Sequence, residues 1–341
     1  MRIGILTGGG DSSAINAAIR AVVRRGLEGG HQILGFKNGW AGPINGDYVE
    51  MTADTVSGIL PRGGTILGTS RTNPFKLDGA VEKVRENLKR AGIDAMICIG
   101  GDDTLGVAHK LNQLEEPIPA VGIPQTIDND INGTDFAIGF NSALFVATEA
   151  LDRLHTTAES HHRIIVVEVM GRDAGHVALY AGLAGGADTI LVPEHRFSTD
   201  EVIDRIKKRR QSGKTFSIIV VAEGARPEGR EQVAVTEKTD AFGHVRLGGV
   251  GEYLANVIEE RTGLETRSMN LGHLQRGGMA TPFDRIIATE FGVAAVELVE
   301  KGELDRMVAI QCGEVTSIPL EEALTTRPID ERVFQMAQLF F

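Results

Sequence analysis

Short, nearly uninterrupted apolar runs punctuate the chain, beginning at Arg2 (RIGILT), Gln32 (QILGF), Ala95 (AMICIG), Ala120 (AVGIP), Arg163 (RIIVVEVM), Asp188 (DTILVP), Phe216 (FSIIVVAEG) and Met307 (MVAIQ). Most lack the strict alternation of a half-exposed strand, which is the pattern of parallel strands covered on both faces. Between them apolar residues recur at helical spacing: Ile15, Ile19, Val22 and Leu27, then Val81, Val84 and Leu88, then Leu144, Ala147, Leu151 and Leu154. This alternation predicts an α/β fold of doubly wound, Rossmann-like, mainly parallel sheets. Eight strands with helices on both sides, in 341 residues, exceed one compact unit and predict two such domains.

Composition narrows the function. With 35 basic against 46 acidic residues the net charge is −11, which argues against a sequence-independent grip on nucleic acid. No apolar stretch approaches the ~20 residues of a membrane helix, so a cytoplasmic protein without a membrane partner is expected. Two cysteines, Cys98 and Cys312, supply neither a disulfide framework nor a cysteine zinc site. The 42 glycines fall in short clusters after apolar runs, a pattern that brings backbone close to ligands.

In doubly wound sheets ligands bind beyond the C-terminal ends of strands. The strand tails here are Gly8-Gly9-Gly10-Asp11, Gly100-Gly101-Asp102-Asp103-Thr104, Pro124 to Asp130, Met170-Gly171-Arg172 and Glu223-Gly224. The first combines unhindered backbone with a helix start, an anion site in other folds and plain turn geometry in many. Asp102 and Asp103 would suit Mg²⁺ holding phosphate oxygens, although Asp103 or Thr104 could simply cap the following helix. Thr126, Asp128 and Asp130 add a hydroxyl and two carboxylates, one of which could take a hydroxyl proton as that oxygen attacks phosphorus. Arg71, Arg163, Arg172, Arg267 and Arg276 are candidate phosphate ligands, with His273 between the last two. Gly213-Lys214-Thr215 ends like a P-loop but lacks the upstream glycine and lies between a helix and a strand, so it reads as a loop.

Together and in order, GGGD from Gly8, RGGTILGTSRTNPFK from Arg62, GGDDT from Gly100, TIDND from Thr126, ESHHR from Glu159, VMGR from Val169, AEG from Ala222 and LGHLQRGG from Leu271 resemble the 6-phosphofructokinase family. The resemblance runs to about Arg285 and is to the branch of pyrophosphate-dependent and mixed actinobacterial-type members. It implies transfer of a phosphoryl group to O1 of fructose 6-phosphate, assisted by Mg²⁺, in a cleft between two domains. The implied boundaries are 1–139 plus 277–325 for phosphoryl donor and Mg²⁺, and 140–276 plus 326–341 for sugar phosphate. By the resemblance Asp128 is the base, Thr126 and Asp130 lie beside it, and Asp102 is the Mg²⁺ ligand. Gly10, Asp11, Arg71, Lys76 and Arg172 hold the transferring group. Met170, Gly171, Glu223, His273 and Arg276 bind the sugar phosphate. Arg163 and Arg267 match residues that a neighbouring subunit supplies, implying a homo-oligomer, dimer or tetramer, with a shared site.

The donor rests on two positions. In the family, aspartate at the place of Asp103 fills the space and charge that a nucleotide's α-phosphate needs, and so points to pyrophosphate. Two like charges ~4 Å apart at an effective dielectric of ~20 repel by up to ~4 kcal/mol. Pyrophosphate users usually pair that aspartate with a lysine where this chain has Gln125, which points the other way. Exclusion by charge is harder to repair than lost stabilisation, so pyrophosphate is expected, with ATP the alternative. Sedoheptulose 7-phosphate is a further acceptor the family site could admit. The first loop reads Ser12-Ser13-Ala14 where the family has Cys-Pro-Gly, Asp173 and His176 sit in an altered stretch, and Ala280 replaces a usual proline. Those changes leave open a catalytically weak, sugar-phosphate-binding regulatory relative, which the intact Asp11, Asp102, Asp128 and Arg172 argue against.

Overall fold

The computed structural model describes residues 1–229, 234–239, 245–247 and 249–340. In chain order the elements are β1 (Arg2–Thr7), α1 (Ile15–Glu28), β2 (Gln32–Phe36), α2 (Ala41–Asn45), β3 (Tyr48–Met51), α3 (Ala80–Ala91), β4 (Ala95–Gly100), α4 (Asp102–Asn112), β5 (Ala120–Thr126), β6 (Ile138–Gly139) and α5 (Phe140–His161). There follow β7 (Ile164–Val169), α6 (His176–Ala184), β8 (Thr189–Leu191), α7 (Thr199–Gln211), β9 (Ser217–Ala222), β10 (Ala234–Thr239), β11 (Val245–Leu247), α8 (Val250–Thr262), β12 (Thr266–Asn270), α9 (Pro282–Lys301), β13 (Arg306–Gln311), β14 (Glu314–Pro319), α10 (Leu320–Ala323) and α11 (Glu331–Gln338). All eight apolar runs form strands, and the three helical spacings fall in α1, α3 and α5. Lys214 and Thr215 lie in the connection between α7 and β9. The chain divides into two compact units, one of Met1–Ile127, Ile131–Ser142 and Arg276–Thr326, the other of Asp128–Asp130, Ala143–Gln275 and Arg327–Phe341.

The sheet of the first unit runs β14-β13-β5-β4-β1-β2-β3, with β6 beside β5. It is parallel from β13 to β2, and both edges, β14 and β3, are antiparallel. Ile3, Ile5, Ile97, Ile99, Val121 and Ile123 face a core shared with α1 and α9, while Leu6, Met96 and Cys98 face a second core with Trp40, Leu105 and Leu111. Side chains do alternate between faces, but both faces are apolar, so polarity does not alternate. Each such buried side chain contributes about 1.5–3 kcal/mol. The chain leaves β1 for β2 on one side and reaches β4 on the other. This reversal of strand order opens a crevice beyond the C-terminal ends of β1 and β4.

In the second unit a four-stranded sheet, β12-β7-β9-β8, is parallel throughout. Its reversal lies between β7 and β12, which places the tails of those strands side by side. Ile164, Val166, Ile219 and Val221 pack one face against Val202, Ile206, Leu254 and Ile258 of α7 and α8. The edge strands β3, β12 and β14 carry no apolar run, whereas β8, also an edge, is buried at all three positions; four of the five residues of β12 are exposed. β10 and β11 form an antiparallel pair.

Candidate active site

In the first unit the glycine loop after β1 is built by its neighbours. Gly8 N–H donates to Ile99 O at 2.9 Å, tying it to β4. Gly9 N–H donates to Ser70 O at 3.1 Å and Gly9 O accepts from Thr69 Oγ1 at 2.7 Å, so the residues just before Arg71 are fastened to the loop. Arg276 Nη1 donates to Asp11 O at 3.0 Å, and Ser13 Oγ returns bonds to the carbonyls of Arg276 and Gly277 at 3.4 and 3.1 Å. A Cβ on Gly10 would sit 2.5 Å from Arg276 Nη1, so the guanidinium occupies the space a side chain at residue 10 would take. Gly10, Asp11, Arg71 and Arg276 therefore come together in this unit. Lys76 ends a 3₁₀ turn, Pro74–Lys76, capped by Asn73, whose Oδ1 accepts from Phe75 N–H at 3.0 Å.

The tail of β4 enters α4 directly. Gly101 is the N-cap residue and offers no side chain, so Asp102 and Asp103 occupy the first turn rather than capping it, where a negative charge complements the helix dipole. Asp102 is exposed. Thr104 is buried, and its carbonyl accepts from the buried Trp40 Nε1 at 3.3 Å. On β5, Gln125 is 1 % exposed, and neither Oε1 nor Nε2 finds a hydrogen-bond partner among the described residues. Leaving such an amide unsatisfied costs about 1–3 kcal/mol per polar atom. Thr126 ends the same strand.

The second unit collects Asp128, Asp130, Met170, Gly171, Arg172, Glu223 and His273. Asn129, buried between the two aspartates, has φ 54°, left-handed backbone for a residue that tolerates it better than most. Glu223 N–H donates to Val169 O at 2.8 Å and Gly224 N–H to Gly171 O at 3.0 Å, which locks the tail of β9 onto that of β7. A Cβ on Gly224 would overlap the Arg172 carbonyl oxygen. Leu271 N–H donates to Glu168 O at 3.0 Å and Met170 N–H to Gln275 Oε1 at 3.3 Å, adding the turn that carries His273. The buried Glu168 carboxylate in turn accepts from Gly251 N–H at 2.8 Å and from Asn270 Nδ2 at 2.7 Å.

Arg163 and Arg267 lie elsewhere on this unit. Arg163 precedes β7 and Arg267 pairs with Ile165, at the end of the sheet opposite Met170. The six residues of β7 separate Arg163 from Met170, seven steps along the strand and a span of about 23 Å. Both guanidinium groups bind Glu265, at 2.8 and 2.6 Å, and the bond from Arg163 holds that carboxyl below the usual range.

Sequence reasoning noted Ser13 only as a departure from the family pattern in the first loop and missed Glu194 altogether. Ser13 anchors the loop carrying Arg276, and Glu194 bonds the backbone of Gly175. Glu194 follows the DTILVP run within the sequence, but nothing in its residue type announced a backbone partner. Among the described residues no three His, Cys, Asp or Glu side chains form a metal cage. The oxygen donors of Asp102 and Asp103 nonetheless fit a Mg²⁺ held largely by phosphate and water. No helix of the described residues is long and apolar enough to cross a membrane.

Comparison with known proteins matches these features. The family pattern described as phosphofructokinase matches residues 2–299. The pyrophosphate–fructose 6-phosphate 1-phosphotransferase of Amycolatopsis mediterranei is 53% identical over 346 residues, covering all of both chains. The ATP-dependent 6-phosphofructokinase 3 of Streptomyces coelicolor is 46% identical over 325 residues, 95% of each. Among solved structures, phosphofructokinase from Saccharomyces cerevisiae superposes with a TM-score of 0.82 at 32% identity over 99% of this chain, which spans 46% of the yeast one. The chain belongs to the phosphofructokinase family and is a phosphotransferase.

Proposed function

We propose that the chain transfers a phosphoryl group from pyrophosphate to O1 of fructose 6-phosphate. The observation that carries the donor assignment is Asp103 beside Asp102 on the first turn of α4. Two carboxylates there repel the additional negative charge of a nucleotide, while a smaller donor bound between the Gly10 loop and Arg71 avoids them. The name of the Amycolatopsis relative agrees with this reading. The neutral amide of Gln125 favours ATP as the second reading, because pyrophosphate loses the ammonium that usually steadies it.

In this reading Asp128 accepts the O1 proton as O1 attacks phosphorus, the bond to the departing phosphate breaks, and Arg71 and Arg172 offset the charge that develops. Thr126 and Asp130 orient the acceptor end. Gly10, Asp11 and Lys76 hold the donor, and the Gln125 amide supplies a hydrogen bond to it. Asp102 holds Mg²⁺, which neutralises phosphate charge when bound. Met170, Gly171, Glu223, His273 and Arg276 grip the sugar phosphate. Arg163 lies about 23 Å along the strand from Met170, and Arg267, level with Ile165, about 17 Å, too far to join it within one chain. They serve the acceptor site of a second copy. Exposed Met269 on β12 and Leu274 beyond it support a homo-oligomeric contact on this face.

Turnover with each donor tests the reading. Fructose 1,6-bisphosphate should form with pyrophosphate at a kcat/KM about tenfold or more above that with ATP, a gap of about 1.4 kcal/mol. Equal or better use of ATP overturns the donor assignment. Binding of fructose 6-phosphate without turnover on either donor supports the weak regulatory relative instead.

A further inference from the structure

The loops assigned to the acceptor are joined by contacts that the reaction itself does not require. Glu194, three residues after β8, accepts from Gly175 N–H through both carboxylate oxygens, at 3.1 and 3.2 Å. Gly175 ends the Met170–Gly175 loop and is the N-cap residue of α6, where a carboxylate also complements the helix dipole. The same Glu194 carboxylate accepts from Ile329 N–H at 3.1 Å, in the segment that leads into α11. Two residues earlier, Arg327 N–H donates to Asp130 O at 2.7 Å. Arg327 O lies 3.2 Å from Nε2 of the buried His176, the first residue of α6. A circuit thus closes from Asp130 through Arg327 and His176 to Gly175, then through Glu194 back to Ile329. Farther along, His195 stacks on Phe334 at 4.5 Å and its Nε2 meets Glu331 at 3.0 Å, which seats α11.

We propose that Glu194 is a positioning residue for acceptor binding. Its one carboxylate fastens the C-terminal segment to the Met170–Gly175 loop, so that Asp128–Asp130 and Met170–Arg172 are held in fixed register. Gly175 and Ile329 are both buried and meet Glu194 through backbone N–H groups, and a buried N–H left unmet is costly. The proposal rests on the reading that these two loops take fructose 6-phosphate.

Glu194→Ala and Glu194→Gln test it by separate KM values for the two substrates and by amide hydrogen exchange of the unliganded protein. Glu194→Ala should raise KM for fructose 6-phosphate about tenfold or more while leaving KM for pyrophosphate within about twofold. It should also speed exchange in peptides covering 128–131, 170–176 and 327–330, and leave those covering 8–14 and 100–105 unchanged. Glu194→Gln keeps one acceptor oxygen and should recover most of the acceptor affinity. Equal rises in both KM values, or exchange accelerated throughout the second unit, would mean general loosening and would overturn the proposal, as would an unchanged KM for the acceptor. If the wild-type protein fails to turn over fructose 6-phosphate, the functional reading falls. The exchange pattern then still decides whether Glu194 fastens these loops.

Discussion

The guanidinium of Arg276 lies across Gly10, with Nη1 bonded to Asp11 O at 3.0 Å, in the space that a side chain at residue 10 would occupy. The contact is with the far end of a flexible side chain, so Gly10→Ala displaces Arg276 at little cost to folding. KM for fructose 6-phosphate, the substrate assigned to Arg276, should rise about tenfold or more while the melting temperature moves by less than about 2 °C. Steady-state kinetics beside a thermal melt decide it; unchanged kinetics would show that the position of Arg276 does not matter.

Donor choice should respond to two substitutions in opposite ways. Asp103→Gly removes one of the two carboxylates from the first turn of α4 and should shift the ratio of kcat/KM for ATP over pyrophosphate upward by about tenfold or more, since up to ~4 kcal/mol of unscreened repulsion is lost. Gln125→Lys should raise turnover with pyrophosphate. Because residue 125 is buried, an ammonium there should also cost the ligand-free protein a few kcal/mol, on the order of its desolvation. Measuring both donors on both variants, with stability in the absence of ligand, checks each statement.

A site completed by a second copy predicts rescue between inactive variants. Asp128→Asn and the double variant Arg163→Ala, Arg267→Ala should each lose activity. Unfolded together and refolded as hybrids, they should regain about a quarter of wild-type activity if the functional pair is a dimer, because half the pairs are mixed and each holds one intact site. No recovery in hybrids confirmed by mass would place both arginines outside the acceptor site.

Burial pushes the His176 imidazole down to about 4, against an opposing hydrogen bond to Arg327 O. The unfolded chain therefore takes up a proton as pH falls through 6.5, and the folded chain does not until about 4. The stability tied to this ring is fully present above pH 6.5 and lost between there and about 4, amounting to about 3 kcal/mol. His176→Gln, which keeps an N–H for Arg327, should flatten that part of the profile relative to wild type in denaturant titrations at several pH values.

Thiol chemistry offers an independent check on the core. Cys98 is fully buried in β4, and burial pushes its thiol far up; Cys312 is exposed. A colourless-to-coloured disulfide reagent should modify Cys312 alone in the native protein and reach Cys98 only on unfolding. Rapid labelling of both would contradict the packing of β4.

What the sequence carried by itself was whatever burial and local chemistry write into residue type. The runs RIGILT and AMICIG had to be strands with two covered faces, and Gly8–Asp11 and Gly100–Asp103 had to follow them, because apolar side chains and chain-reversing glycines leave local signatures. The order of those motifs was enough to name the family. Edge strand β12 left no such mark, since TRSMN is exposed at four of five positions. Nor did the bonds that set the site's geometry: Arg276 to Asp11, Ser13 to Gly277, and Glu194 to Gly175 and Ile329 all end on backbone groups, some of them more than a hundred residues away. Every residue but proline has the same N–H and every residue the same carbonyl, so only the folded chain selects which of them a side chain meets. The tertiary structure likewise set Arg163 and Arg267 at the far end of the sheet from Met170, because strand direction and register, not residue type, determine at which end a side chain stands.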